Sequence, residues 1–203
     1  TLRYGPLEAL ITYDEETGMT GANSLKAGIL KGDILLNLDS EEEGELCTGC
    51  AGGVDGAADF AYRTYKTPEG FVGYKITVKG LKGGHSGMDI SLFRGNANKI
   101  ICRLLEAVIS EYDVKVASIT GGSLRNAIPF EAEAEILVPS ADSRKVKALV
   151  EKKFEESKFE YQYSDPDMIL IYEKQSAPAA RYISPKVIGK AVKAILALTE
   201  SRG

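Results

Sequence analysis

At 203 residues the chain has room for one domain or two small ones, and a 44% hydrophobic content supplies a sizeable core. A formal charge of -4 and a pI near 5.3 argue against a nucleic-acid partner. No stretch approaches the roughly 20 apolar residues that span a bilayer, so no membrane partner is expected, and no phosphate loop or dinucleotide glycine fingerprint supports nucleotide chemistry. Three cysteines, an odd number, fit a reducing and hence cytoplasmic compartment better than a disulfide framework. Cys47 and Cys50 form a lone C-x-x-C, open to reading as a redox pair, half of a zinc site, or thiols buried in a turn, the last being the habit of the residue type.

Residues 7–11 form a short apolar run that ends in Asp14, Glu15, Glu16 and Gly18. A run so short and apolar predicts a buried strand of a parallel sheet. Residues 33–40 repeat the pattern and end on Asp39, and residues 19–28 between them are long enough for a crossover helix. Such a βαβ unit would bring Glu16 and Asp39 to one sheet edge, outside the carboxyl ends of the strands, where ligands sit. Two carboxylates placed together repel unless a cation or a shared proton offsets the charge, which points to a metal site. The acidic run continues through Glu41, Glu42, Glu43 and Glu45, and the glycines around Gly52-Gly53 suggest a crossing between domains.

Residues 57–65 and 71–78 read as two strands joined by the turn Thr67-Pro68-Glu69-Gly70. A glycine-rich loop, Gly83-Gly84-His85-Ser86-Gly87, follows. Ala97, Ile100, Ile101, Leu104, Leu105, Val108 and Ile109 then fall at helical spacing. A strand over 114–119 leads to a loop with Arg125-Asn126-Ala127-Ile128-Pro129, and alternation over 130–138 predicts another strand. Val146, Leu149, Val150 and Phe154 mark a second amphipathic helix, with Lys145, Lys147, Lys152 and Lys153 on its wet side. Phe159, Tyr161 and Tyr163 alternate like a strand, so the order from 71 onward is β-α-β-β-α-β, a ferredoxin-like sandwich. A further apolar strand over 168–172 and a last helix opened by Ser184-Pro185 complete the chain.

Neighbouring residues of a strand face opposite ways, so Glu15 and Glu16 divide into a base and a ligand, with Asp14 behind them. The competing reading is a helix N-terminus, whose dipole favours acids. His85 lies among three glycines that let backbone approach a ligand, although an exposed turn histidine is the commoner case. A catalytic zinc site normally takes histidine nitrogen as well as carboxylate oxygen, and this chain has one histidine. It cannot complete such a site alone.

Taken together, Asp14-Glu15-Glu16-Thr17-Gly18, Leu38-Asp39-Ser40-Glu41-Glu42-Glu43-Gly44-Glu45, the His85 loop, Arg94-Gly95-Asn96-Ala97-Asn98-Lys99 and Arg125-Asn126-Ala127-Ile128-Pro129 resemble the aminoacyl-histidine dipeptidases. These are a carnosinase-like branch of the dinuclear zinc peptidases, which also include carboxypeptidase G and aminoacylase. The resemblance implies that Glu15 is the general base and that Glu16 and Asp39 each ligate one of a pair of zinc ions. It implies that His85 reaches the scissile carbonyl oxygen and that Asn126 contacts substrate. In dimeric relatives that histidine serves the partner subunit's active site. Many relatives carry a carboxylate-gripping arginine where this chain has Ile136-Leu137-Val138-Pro139, and Arg94 or Arg125 are the candidates to replace it.

The implied activity is hydrolysis of Xaa-His dipeptides such as β-alanyl-histidine, by a homodimer formed through the lid. The family's upstream histidine-x-aspartate, bridging aspartate and downstream histidine have no counterpart here. The expectation is therefore an internal segment, inactive by itself and without stably bound zinc. Its fold class would be α/β plus α+β: a partial parallel αβ sheet of a zinc peptidase catalytic domain (1–54, with a return at 182–203) flanking a ferredoxin-like lid or dimerisation domain (55–181). The alternatives are a non-enzymatic ferredoxin-like dimerisation or ligand-binding module, or an aminoacylase or tripeptidase.

Overall fold

The computed structural model describes residues 3–39, 43–49, 52, 54 and 56–198. Ser40, Glu41, Glu42, Cys50 and Gly53, on which the sequence reading drew, lie outside the described residues. The chain divides into two compact units, Thr1–Ala57 and Ala58–Gly203.

In the second unit, strand β2 (Phe71–Lys79) alternates as its sequence predicts, with Ile76 and Val78 fully buried. It pairs antiparallel with β4 (Ala132–Pro139) on one side and β5 (Ile169–Lys174) on the other. Strand β3 (Lys115–Gly121) pairs with β4, with a bulge between Val116 and Ser118, giving the sheet order β3-β4-β2-β5. Helix α3 (Ala97–Glu111) and helix α4 (Ser143–Glu160) pack on this sheet and on each other. This is the ferredoxin-like β-α-β-β-α-β arrangement, all its strand pairs antiparallel.

Helix α3 starts where Asn96 caps it: its side-chain oxygen accepts the backbone N–H groups of Asn98 at 3.0 Å and Lys99 at 3.4 Å. The apolar stripe predicted from spacing is the buried one, with Ile100, Ile101, Leu104, Leu105 and Val108 at 0% exposure. Val146, Val150 and Phe154 of α4 close the same core. Helix α5 (Pro185–Ala197) opens with proline in its first turn and buries Ile188 and Val192 in that core, packed on α3.

Two predicted strands of this unit differ. The alternation at Phe159, Tyr161 and Tyr163 is not a strand: α4 runs to Glu160, a turn follows, and Phe159 and Tyr163 are 75% and 89% exposed. The sixth element of the sandwich is instead β5, whose residues have β2 to pair with. The strand expected over 57–65 is short, β1 (Thr64–Lys66), and it pairs with β6 (Arg181–Ile183) rather than forming a hairpin with β2. Thr67 carries that pairing one step further by donating its N–H to the carbonyl of Ala180 at 3.0 Å.

In the first unit the predicted parallel strands over 7–11 and 33–40 do not form among the described residues. Ile11, Ile34 and Leu38 are 91%, 83% and 91% exposed. A buried parallel strand needs hydrogen-bonding neighbours and cover on both faces, and the described residues of this unit supply neither. The expected crossover helix is replaced by two single turns, α1 (Glu15–Gly18) and α2 (Thr20–Asn23). Glu8 ties the unit together, its Oε2 accepting the N–H groups of Lys31 and Gly32, each at 2.8 Å.

Candidate functional site

Glu15 and Glu16 occupy the first turn of α1 and both are exposed. They are helical rather than extended, so the strand argument that set them on opposite faces does not apply. Asp14 before them and Met19 after them have φ of 63° and 52°, left-handed conformations that methionine rarely adopts. Thr20 Oγ1 donates to the Asp14 carboxylate, which closes the turn. Asp39 is exposed, and its N–H donates to Asn37 Oδ1 at 3.0 Å. Among the described residues no group of three or more His, Cys, Asp or Glu side chains is arranged to hold a metal ion. The described donors therefore do not by themselves make up a metal centre.

The second unit does bring candidates together. The His85 loop and the Asn126 loop are joined by a bridge between His85 and Ala127, by Ser86 N–H donating to Asn126 O at 2.9 Å, and by Ile128 N–H donating to Gly84 O at 2.8 Å. His85 itself is exposed. Its Nδ1 accepts two backbone N–H groups, from Gly87 at 3.0 Å and Met88 at 3.1 Å. A ring nitrogen that accepts cannot carry the proton, so the neutral ring carries it on Nε2, as a donor. Beside the bridge runs a groove whose lining includes Ile128, Pro129, Phe130, Ser123 and Glu131.

Arg94, a candidate for gripping a substrate carboxylate, is engaged within the loop: its Nη1 donates to Gly83 O at 2.7 Å and to Asp89 Oδ2 at 3.2 Å. Arg125 is exposed and Asn126 half-buried. The Arg94–Lys99 stretch, on which the resemblance leaned, is largely a joint: Arg94 braces the His85 loop and Asn96 caps α3. Gly95 N–H reaches Asp165 Oδ2 at 2.7 Å.

Two residues of this region escaped the sequence reading. Asp89 accepts the N–H of His85 at 2.8 Å as well as Arg94. Asp165, 1% exposed, accepts from Lys82, Gly95 and Ser164 at 2.7–2.8 Å. A carboxylate four positions after the lone histidine was a signal for the first. The second sits in Ser164-Asp165-Pro166-Asp167, where turn residues are expected and burial is not.

Residues 69–162 match the family model described as the peptidase dimerisation domain. Over 181 residues the chain is 42% identical to a cytosol non-specific dipeptidase of Escherichia coli, a match that takes in 89% of this chain and 37% of that protein. The crystal structure of aminoacylhistidine dipeptidase from Vibrio alginolyticus superimposes with a TM-score of 0.78 at 45% identity, covering 92% of this chain and 38% of that one. The chain thus spans less than two-fifths of the length of either relative.

Proposed function

With a peptidase dimerisation domain at residues 69–162 as the premise, we propose that this chain is the lid-bearing part of a metal-dependent dipeptidase that hydrolyses Xaa-His dipeptides such as β-alanyl-histidine. The observation that carries this is the likeness to aminoacylhistidine dipeptidase, 45% identical across 92% of the chain. The dimerisation domain supports a homodimer formed through the lid, and the cytosol dipeptidase relative supports a cytoplasmic enzyme. No helix among the described residues is long and apolar enough to cross a membrane. In domain terms, 55–181 is the lid, and 1–54 and 182–203 belong to the catalytic domain.

His85, in this proposal, donates Nε2–H to the scissile carbonyl oxygen, where negative charge develops as water attacks. A donor aimed at that charge is worth about 10²–10³ in rate. Its Nδ1 is held from behind by Gly87 and Met88, which leaves Nε2 to face a ligand. Glu15 takes the proton of the attacking water, and its place between the strained Asp14 and Met19 favours a functional turn. Asn126 and Arg125 contact substrate, and Arg94 holds the loop. Zinc, when bound, would polarise the carbonyl and the water. Glu16 and Asp39 would each contribute one carboxylate, and the remaining ligands would have to come from outside the described residues.

A non-enzymatic dimerisation module has one observation in its favour: among the described residues, the buried apolar core lies within Ala58–Gly203. Hydrolysis of β-alanyl-histidine by a longer protein that includes the catalytic domain separates the two. Turnover that Glu15→Ala abolishes with zinc retained supports the dipeptidase. Absence of turnover in the zinc-loaded longer protein leaves the module, and full activity of the variant removes Glu15 as base.

A further inference from the structure

We propose that Asp89 is the positioning residue of the His85 imidazole, acting with Arg94 to set both the tautomer and the direction of the ring; this rests on the reading of His85 as the donor to substrate. One carboxylate oxygen, Asp89 Oδ2, takes the N–H of His85 at 2.8 Å and Arg94 Nη1 at 3.2 Å. The same Nη1 donates to the carbonyl of Gly83 at 2.7 Å, so the pair grips the backbone on both sides of Gly84. Gly84 has φ of +135°, and a Cβ there would stand 2.9 Å from Asp89 Cβ, so this clamp fits only over a glycine.

The chain then turns back on itself. Asp89 N–H donates to His85 O at 3.0 Å, and this closed turn aims the N–H groups of Gly87 and Met88 at Nδ1. Both donors act on one ring nitrogen, so the proton is confined to Nε2 and the ring plane is fixed by two bonds at its inner edge. Asp89 and Arg94 side chains are 30% and 23% exposed and belong to no part of the apolar core. A plain surface ion pair would leave the imidazole indifferent to their removal. A positioning pair would not.

His85 is the one histidine in the 203 residues, so a nitrogen-15 spectrum of this chain contains a single imidazole. At about pH 8.5, where an ordinary imidazole is neutral, long-range proton–nitrogen correlations are expected to show an unprotonated Nδ1 and a protonated Nε2. In Asp89→Ala the two nitrogen shifts should move towards each other as the tautomers average. Asp89→Asn, which keeps an acceptor but loses the charge facing Arg94, should fall between. A wild-type ring protonated on Nδ1 or already averaged overturns the proposal. So does a folded Asp89→Ala with wild-type nitrogen shifts. If Asp89→Ala does not fold, Arg94→Gln takes its place in the same comparison. In the longer protein, Asp89→Asn should lower kcat several-fold with KM little changed. Altered nitrogen shifts with unaltered turnover would retire His85 from the reaction while leaving its positioning by Asp89 in place.

Discussion

The carboxylate of Asp165 accepts the N–H of Gly95 at 2.7 Å across 70 positions of sequence, inside the protein. Its other oxygen takes the N–H of Lys82 at 2.8 Å, so one buried acid ties the end of the β2 loop and the entrance of α3 to the segment after α4. Truncating it leaves those two N–H groups without partners, and hydrogen bonds to a charged group contribute about 1.5–3 kcal/mol each. Asp165→Ala is expected to lower stability by about 3 kcal/mol or more. Urea unfolding checks it through a fall in midpoint at constant slope. Asp165→Asn, which keeps an acceptor, should lose less.

Gly84 and Gly70 offer a paired test of space against conformation. Both have positive φ, +135° and +80°, but a Cβ at Gly70 meets nothing within 4 Å. Gly70→Ala is therefore expected to cost about 1 kcal/mol of conformational strain. Gly84→Ala should cost more and should speed amide exchange at His85, Gly87 and Met88. Equal costs with unchanged exchange would show that Asp89 and Arg94 yield freely.

Burial, with a smaller contribution from Glu106, pushes the Cys102 thiol from an ordinary 9.0 up to about 11. The unfolded chain releases this proton first as pH rises. The associated stability is therefore complete below pH 9.0 and is lost between there and about 11. The loss amounts to roughly 3 kcal/mol at most. The stability advantage of wild type over Cys102→Ala should shrink across that window. At neutral pH a thiol reagent should modify exposed Cys47 quickly and buried Cys102 only on unfolding.

Leu104 and Lys75 bracket the energetic range of the sandwich. Leu104 of α3 is fully buried in the core, and Leu104→Ala should cost about 2–5 kcal/mol. Lys75 lies on the opposite sheet face, 2.7 Å from Glu133 with side chains a third exposed. The hydrogen bond to Glu133 raises the lysine's pKa above its ordinary value. Solvent screens such a pair, so Lys75→Ala should leave the thermal midpoint almost unchanged. A large drop would mean that the pair anchors the β2–β4 register.

The amino-acid sequence by itself determined the first five elements of the sandwich from Phe71 onward. Both helix stripes are periodic enough that burial follows from spacing, and Ser184-Pro185 announces the start of α5. The same local signals misplaced the strand at Phe159–Tyr163, because a period of two is written equally well in a helix end and a turn. Partner availability, which no local pattern contains, gave that position in the sheet to Ile169–Lys174. The apolar runs around Ile11 and Ile34 failed for the same reason, since a parallel strand exists only beside its neighbours. The sequence singled out His85 from its glycines and its solitude. Only the tertiary structure decided which ring nitrogen is masked, because that depends on backbone donors of Gly87 and Met88 folded over by Asp89. Asp165 was invisible for a related cause: a buried acid is satisfied by groups far away in the chain, and the fold alone brings Lys82 and Gly95 to it.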